Sequence, residues 1–203
     1  MADVIPLFDE SQREPLFAVL YQRIDHKIVQ GRPDKEVIRE IEKITYDQNK
    51  GELITLNQVI KLPSNTFYKI VPLQFGGFLA FDIDQIAYCS GDCTQPLIYR
   101  KLRTPLTITA ICEVDQYDPT TRKTKEGKTF LRYLIATEGG ELFMLAFLLE
   151  YLGMALQEQR FIVLEFLASE LSSASSLTYL DNNYIFYGSS KSDSYILQAT
   201  TEL

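Results

Sequence analysis

Residues Leu177–Gln198 read LTYLDNNYIFYGSSKSDSYILQ, two apolar strands set about an Asp181-Asn182-Asn183 turn, with the arrangement repeated around Ser189–Asp193. Asn and Asp bond their own backbone and accept left-handed geometry, so each cluster marks a tight reversal. Tyr184 and Phe186 alternate with Ile185 and Tyr187 between the turns, which places apolar side chains on both faces of that strand. The stretch reads as the edge of a β-propeller blade. Such a segment builds a binding surface rather than a reaction vessel.

Outward from it, strand candidates come in pairs, the recurring sign of hairpins. They are Pro15–Gln22 with Ile24–Gln30, Phe67–Leu73 with Gly77–Asp82, Gln85–Ser90 with Leu97–Leu102, Leu106–Val114 with Thr129–Thr137, and Glu141–Leu148 with Arg160–Phe166. In LTITAIC, Leu106, Ile108, Ala110 and Cys112 share one face and Thr107, Thr109 and Ile111 the other. FLRYLIAT is nearly continuous in apolar character and predicts a strand covered on both faces. Turn residues sit between the strands at Gly76-Gly77, Ser90-Gly91-Asp92 and Glu138-Gly139-Gly140. The pattern predicts an all-β fold, a partial, open β-propeller of about three blades of antiparallel strands. Three blades do not close a ring of about four to eight, so residues 1–203 are expected to form one incomplete propeller domain, a fragment of something larger, with exposed edges that favour self-association.

One segment is ambiguous. In KEVIREIEKITYD, Val37, Ile38, Ile41 and Ile44 fall at helical spacing and Glu40 is placed to pair with Lys43, which predicts a helix over Asp34–Tyr46. The resemblance described below puts strand there, and the balance tips toward strand.

The net charge of −7 disfavours the chain as a whole as a nucleic-acid clamp, because phosphate binding needs clustered Lys and Arg. Any nucleic-acid contact is expected to be indirect or confined to a patch. Arg122, Lys123, Lys125 and Lys128 in the loop Asp115–Lys128 could touch phosphate or an acidic partner, but a solvated hairpin tip is the simpler reading and the one expected. The three cysteines, Cys89, Cys93 and Cys112, make no disulfide framework, and no signal-peptide pattern opens the chain, so an intracellular, reducing compartment is expected. The longest apolar run, Leu142–Leu156, contains Glu150 and falls short of the roughly 20 residues of a membrane helix. No membrane association is expected.

Chemistry is hard to find. The one histidine, His26, lies in the polar stretch IDHK, which reads as a surface turn between two strands. Cys89 and Cys93 in CSGDC resemble a metal clip, but zinc wants four ligands and only Cys112 and His26 could complete the set. Asp82 and Asp84 could serve as a carboxylate pair; as residues of a strand connection they are expected to satisfy backbone donors instead. No glycine-rich phosphate loop or nucleophile elbow occurs. No catalytic, cofactor or metal residue is assigned, and no small-molecule substrate is expected.

Three segments together carry a family resemblance: EPLFAVLYQ at Glu14–Gln22, FLRYLIATEGGELFMLAF at Phe130–Phe147, and Leu177–Gln198. With VPLQFGGFLAFDIDQIAYCSGD at Val71–Asp92, they resemble the first propeller of the family that includes the large subunit of the UV-damaged-DNA-binding protein, the adaptor of cullin-based ubiquitin ligases. The family is shared with propeller subunits of pre-mRNA splicing and mRNA 3′-end cleavage complexes. Gly188 and Asp193-Ser194 follow the family's blade edge in order. Asn183 and Ser192 stand where the family usually has glycine. The resemblance implies a non-catalytic scaffold without cofactor, acting in the nucleus and also in the cytoplasm. The implied partners are proteins, among them substrate receptors of a cullin ligase, and the implied roles are ubiquitination and DNA repair. It transfers no individual partner-binding residue, because the matching motifs form blades.

Overall fold

A computed structural model describes residues 3–7, 16–30, 32–62, 64, 66–90, 98–102, 105–149, 162–180, 183–189 and 194–199. The chain divides into two compact units, Met1–Lys101 and Leu102–Leu203. No α-helix occurs among the described residues.

The first unit holds two antiparallel sheets. Strands β1 (Asp3–Leu7), β2 (Leu16–Val29), β3 (Arg32–Asp47) and β4 (Glu52–Lys61) form one meander in chain order. Strands β5 (Lys69–Pro72), β6 (Phe78–Phe81), β7 (Gln85–Cys89) and β8 (Ile98–Lys101) form the next. Ile5, Leu7, Leu16, Ala18, Leu20 and Ile41 on the first sheet pack against Phe67, Ile70, Phe78, Ala80, Ala87 and Cys89 of the second. The leading strands β1 and β5 lie beside each other. The Asp3 carboxylate ties them by accepting the Ile70 N–H at 3.0 Å.

The second unit repeats the plan. Strands β9 (Ile108–Glu113), β12 (Phe130–Thr137), β13 (Leu142–Leu148) and β14 (Ile162–Ala168) make a meander, with a two-stranded ribbon of β10 (Tyr117–Asp118) and β11 (Lys123–Thr124) inserted between its first two strands. Strands β15 (Ala174–Leu180), β16 (Tyr184–Ser189) and β17 (Tyr195–Gln198) form a three-stranded sheet. Ala110, Leu134, Ala136, Leu142 and Met144 pack against Ala174, Leu177, Ile185 and Tyr187. Burying these apolar faces is the main force joining the sheets. Each four-stranded meander has the form of a propeller blade. The three of them supply the three blades expected, and the three-stranded sheet adds to that count.

Most predicted hairpins are present. β9 alternates as read, with Leu106, Ile108 and Ala110 buried, and β12 is buried along almost its whole length. Asn183 takes φ 64°, the left-handed geometry expected where the family has glycine. Ser192, Asp193, Cys93 and the turn residues Gly91, Asp92, Asp181 and Asn182 lie outside the described residues.

Residues 34–46 are strand, part of β3, the side to which the sequence reading leaned, and the helical alternative fails. Val37, Ile38, Ile41, Ile44 and Thr45 are all β-branched, and pairing with β2 along the full length overrides a 3.6-residue spacing. Pro15–Gln22 and Ile24–Gln30 are not a hairpin, because β2 runs unbroken from Leu16 to Val29 and His26 sits within it. Strands β1 and β4 had no counterpart in the sequence reading. Finally, the strand Tyr184–Tyr187 fills an intersheet space with one face only: Ile185 and Tyr187 are buried, whereas Tyr184 and Phe186 are 39% and 37% exposed. That second face, with Leu180 and Ile196, is apolar and uncovered among the described residues, and it is where the expected self-association would run.

Candidate interaction surface

Of the residues singled out for chemistry, Asp82 is engaged in holding the structure. Asp82 is buried at the β6–β7 turn, where its carboxylate accepts from Thr66 Oγ1 at 2.5 Å, Ser64 Oγ at 2.7 Å, Gln85 Nε2 at 3.1 Å and the Ile83 N–H at 2.6 Å. Burial pushes the Asp82 carboxyl up, but these four donors outweigh it and hold the group below the usual carboxylate range. A carboxylate so fully engaged is a staple. The bland expectation for Asp82 therefore stands, with hydroxyl and amide donors added to the backbone one.

Cys89 is buried and Cys112 is partly buried, and among the described residues no three His, Cys, Asp or Glu side chains cluster as metal ligands. Burial pushes the Cys112 thiol up to about 11. The thiolate is the reactive form. Against the ordinary thiol value of 9.0, a pKa of about 11 leaves the folded protein roughly a hundredfold less Cys112 thiolate at pH 8. Iodoacetamide labelling mapped by mass spectrometry is expected to modify Cys112 about a hundredfold faster after unfolding in urea than before.

The loop Asp115–Lys128 is the β10–β11 ribbon with its flanks. Asp118 turns the ribbon by accepting the Thr120 N–H at 2.9 Å and the Thr121 hydroxyl at 3.0 Å, and these bonds hold its carboxyl below the ordinary range. At the ribbon's base Asp115 is buried and takes a two-pronged bond from Arg132, Nε at 2.7 Å and Nη2 at 2.5 Å, while the Arg132 N–H donates at 2.9 Å. Lys128 Nζ stands 3.5 Å from the same carboxylate. One of the four basic residues in the loop is thus turned inward. The sequence carried a signal that went unused: a charged Arg132 inside the apolar strand FLRYLIAT needs a buried partner.

The surface that invites a partner is elsewhere. β1 pairs with β2 over Leu16–Leu20, and β4 pairs with β3 from Glu40 onward. Beyond those limits the β2–β3 hairpin continues alone, Gln22–Val29 against Arg32–Arg39, and Gln30 turns it with φ 50°. Eight residues of strand extend roughly 27 Å. This arm has two unlike faces. On one, Lys27 is ion-paired with Glu36, and Arg23 contacts Asp25 at 3.1 Å and Glu40 at 3.9 Å. On the other, Gln22, Ile24, His26 and Ile28 pair with Arg39, Val37, Lys35 and Pro33. Ile24 is 50% exposed, Val37 39% and Ile28 80%.

The apolar face continues the buried face of the first sheet, where Leu20 pairs with Ile41. At the arm's root lies a cleft of about 240 Å³ lined by Leu20, Tyr21, Gln22, Arg39, Phe67 and Tyr68. Arg39 Nη1 donates to the Thr66 carbonyl at 3.3 Å and also to the Phe67 carbonyl, in the segment that Asp82 holds through Thr66. Asp82 and Arg39 together fix the arm's root to the second sheet. His26 was read as a surface residue and is exposed, though on this strand face rather than in a turn.

Comparison with known families agrees with the strand pattern. The RSE1/DDB1/CPSF1 first beta-propeller family matches residues 7–203, and the fold is that of a partial, open β-propeller. No curated protein matches the chain.

Proposed function

The chain belongs to the RSE1/DDB1/CPSF1 first beta-propeller family, and from that membership we propose that it is a non-catalytic scaffold domain that holds partner proteins. The observation that carries this reading is the arm: aliphatic side chains held out on a ribbon whose two strands are fully paired to each other. Apolar side chains grouped on one exposed face mark interaction sites. The reading extends to the damaged-DNA-binding adaptor type, a nuclear part of a cullin-based ubiquitin ligase that joins substrate receptors and serves DNA repair. In this role residues 1–203 are a portion of one propeller, and neighbouring blades cover the apolar face of Leu180, Tyr184, Phe186 and Ile196.

The test is affinity purification of the tagged full-length chain from nuclei, with mass spectrometry of what it retains. Cullin and propeller-binding receptors are the expected result. Splicing or 3′-end cleavage subunits, together with RNA crosslinks, would move the chain to the RNA-processing branch of the family. Recovery of neither group sinks the scaffold reading.

A further inference from the structure

We propose that the outer edge of β3 on the arm, Arg32–Arg39, binds an extended acidic segment of a partner protein by strand addition. The inference rests on the scaffold reading and names the partner's chemistry. β4 leaves β3 at Glu40, so among the described residues no strand lies against Arg32–Arg39 on the side away from β2. A strand edge with open N–H and C=O groups is a template for another extended chain.

Side chains set the sequence that fits. Along the apolar face β3 presents Pro33, Lys35, Val37 and Arg39, an alternation of apolar and basic residues at every second position. A strand laid beside it places its own alternate side chains next to these. The complementary partner therefore carries an apolar residue, an acidic residue two positions on, an apolar residue two further, and again an acidic one. Ile24 and Ile28 of β2 widen the apolar ground on that face, and His26 adds no negative charge. No carboxylate lies among the eight residues of the face, although the whole chain has net charge −7. The opposite face holds the arm's acidic residues Asp25, Asp34 and Glu36, where Arg23 contacts Asp25 and Lys27 pairs with Glu36.

The same facts disfavour other occupants. A second copy pairing edge to edge through β3 would gather Lys35 and Arg39 of both copies on one face with no carboxylate among them. Nucleic acid would find three aliphatic side chains on that face and no Phe, Tyr or Trp among its eight residues to stack a base. The cleft at the root, with Phe67 and Tyr68 beyond Arg39, offers room for the end of an added segment.

Selection of phage-displayed random dodecapeptides on the full-length chain tests the proposal. Enriched peptides are expected to share an apolar-x-acidic-x-apolar-x-acidic pattern. A selected peptide made synthetically is expected to bind Lys35→Glu at least tenfold more weakly and Val37→Ser severalfold more weakly. Lys27→Glu, on the other face, is expected to stay within twofold. Thermal unfolding of the variants matching the parent would separate lost contact from lost fold. No enrichment, enriched peptides without the acidic spacing, or indifference to Lys35→Glu would overturn the proposal, as would a dimer dispersed by these substitutions. In the nuclear purification, a parent chain with no partners is a failure of the scaffold reading. Partners retained equally by Lys35→Glu/Val37→Ser are a failure of the arm proposal alone.

Discussion

Asp115→Ala is expected to lower the stability of the chain by about 3–5 kcal/mol, the range for removing one member of a buried ion pair. The Asp115 side chain is 3% exposed and that of Arg132 10%, so the pair lies out of water. The bonds to Asp115 hold the Arg132 guanidinium above its already high ordinary value. Even without those bonds a guanidinium keeps its proton, so in the variant Arg132 stays a buried cation. Deleting the carboxylate leaves a cation, a backbone N–H and the nearby Lys128 without their shared acceptor. Phe130, whose ring centre is 5.5 Å from the guanidinium, compensates only weakly through its π face.

Urea denaturation reads the effect as a lower midpoint with an unchanged slope. Because domains hold only about 5–15 kcal/mol in all, the loss should be visible in the yield of folded protein as well. Arg132→Met combined with Asp115→Leu is expected to restore much of it, since apolar replacement of both partners removes the desolvation cost together with the attraction. The ribbon gives an independent readout. Asp115 anchors its first flank and Lys128 its second, so Asp115→Ala should also speed tryptic cleavage at Arg122, Lys123 and Lys125. A loss under about 1 kcal/mol, with cleavage unchanged, would show that the pair's attraction barely exceeds its cost of burial.

The parts of the fold that were legible in the sequence are those where a core imposes a period. β9 faces the fourth sheet with one side, so Leu106, Ile108 and Ala110 had to alternate with polar residues, and they did. β12 has paired neighbours on both edges and is buried on both faces, and it reads as a continuous apolar run. The arm has no such constraint. Where neither face of a ribbon is buried, no binary pattern marks the register, and Asp25-His26-Lys27 looks like a turn because nothing nearby says otherwise. β3 was ambiguous for a different reason. Its core end and its arm end obey different rules, and the apolar positions of the two halves happened to add up to a helical period.

β4 escaped notice because Leu53, Ile54, Leu56, Val59 and Ile60 fall on both parities. A register shift between Glu42 and Ile44 on β3 lies opposite it and interrupts strict alternation. The interaction surface was the least legible element of all. Its residues are ordinary one by one, and only the pairing of Ile24 with Val37 and His26 with Lys35 gathers them on one side. Asp82 shows the converse. Its type and place suggested backbone bonding, and the structure adds Ser64, Thr66 and Gln85 from outside the turn's own backbone.

Gly140→Ala is expected to be nearly as damaging as the loss of Asp115, about 3 kcal/mol or more, although it adds a single methyl group. Gly140 closes the β12–β13 turn with φ 82°, a geometry that costs an L residue about 1–2 kcal/mol. Its N–H bonds the Thr137 carbonyl at 3.2 Å, and its own carbonyl takes the Leu171 N–H at 3.1 Å. The added Cβ would stand 1.7 Å from the Leu171 carbonyl oxygen and 2.7 Å from its carbon. Backbone has to move. Leu171 lies on the connection from β14 to β15, so the displacement passes to the sheet that carries Leu177, Ile185 and Tyr187, and forcing extra volume into such packing costs about 1–3 kcal/mol more.

Two neighbouring glycines make the argument separable. A Cβ on Gly127, at φ 80°, meets nothing within 4 Å, so Gly127→Ala should cost the backbone strain alone. A Cβ on Gly139 meets only the flexible carboxylate end of Glu141, 2.7 Å away, and Gly139→Ala should cost least of the three. Hydrogen exchange at the Leu171 amide, faster in Gly140→Ala and unchanged in the other two, locates the damage. Equal losses from Gly140→Ala and Gly127→Ala would mean that the strained dihedral, and not the approach of two chain segments, is what reserves the position for glycine.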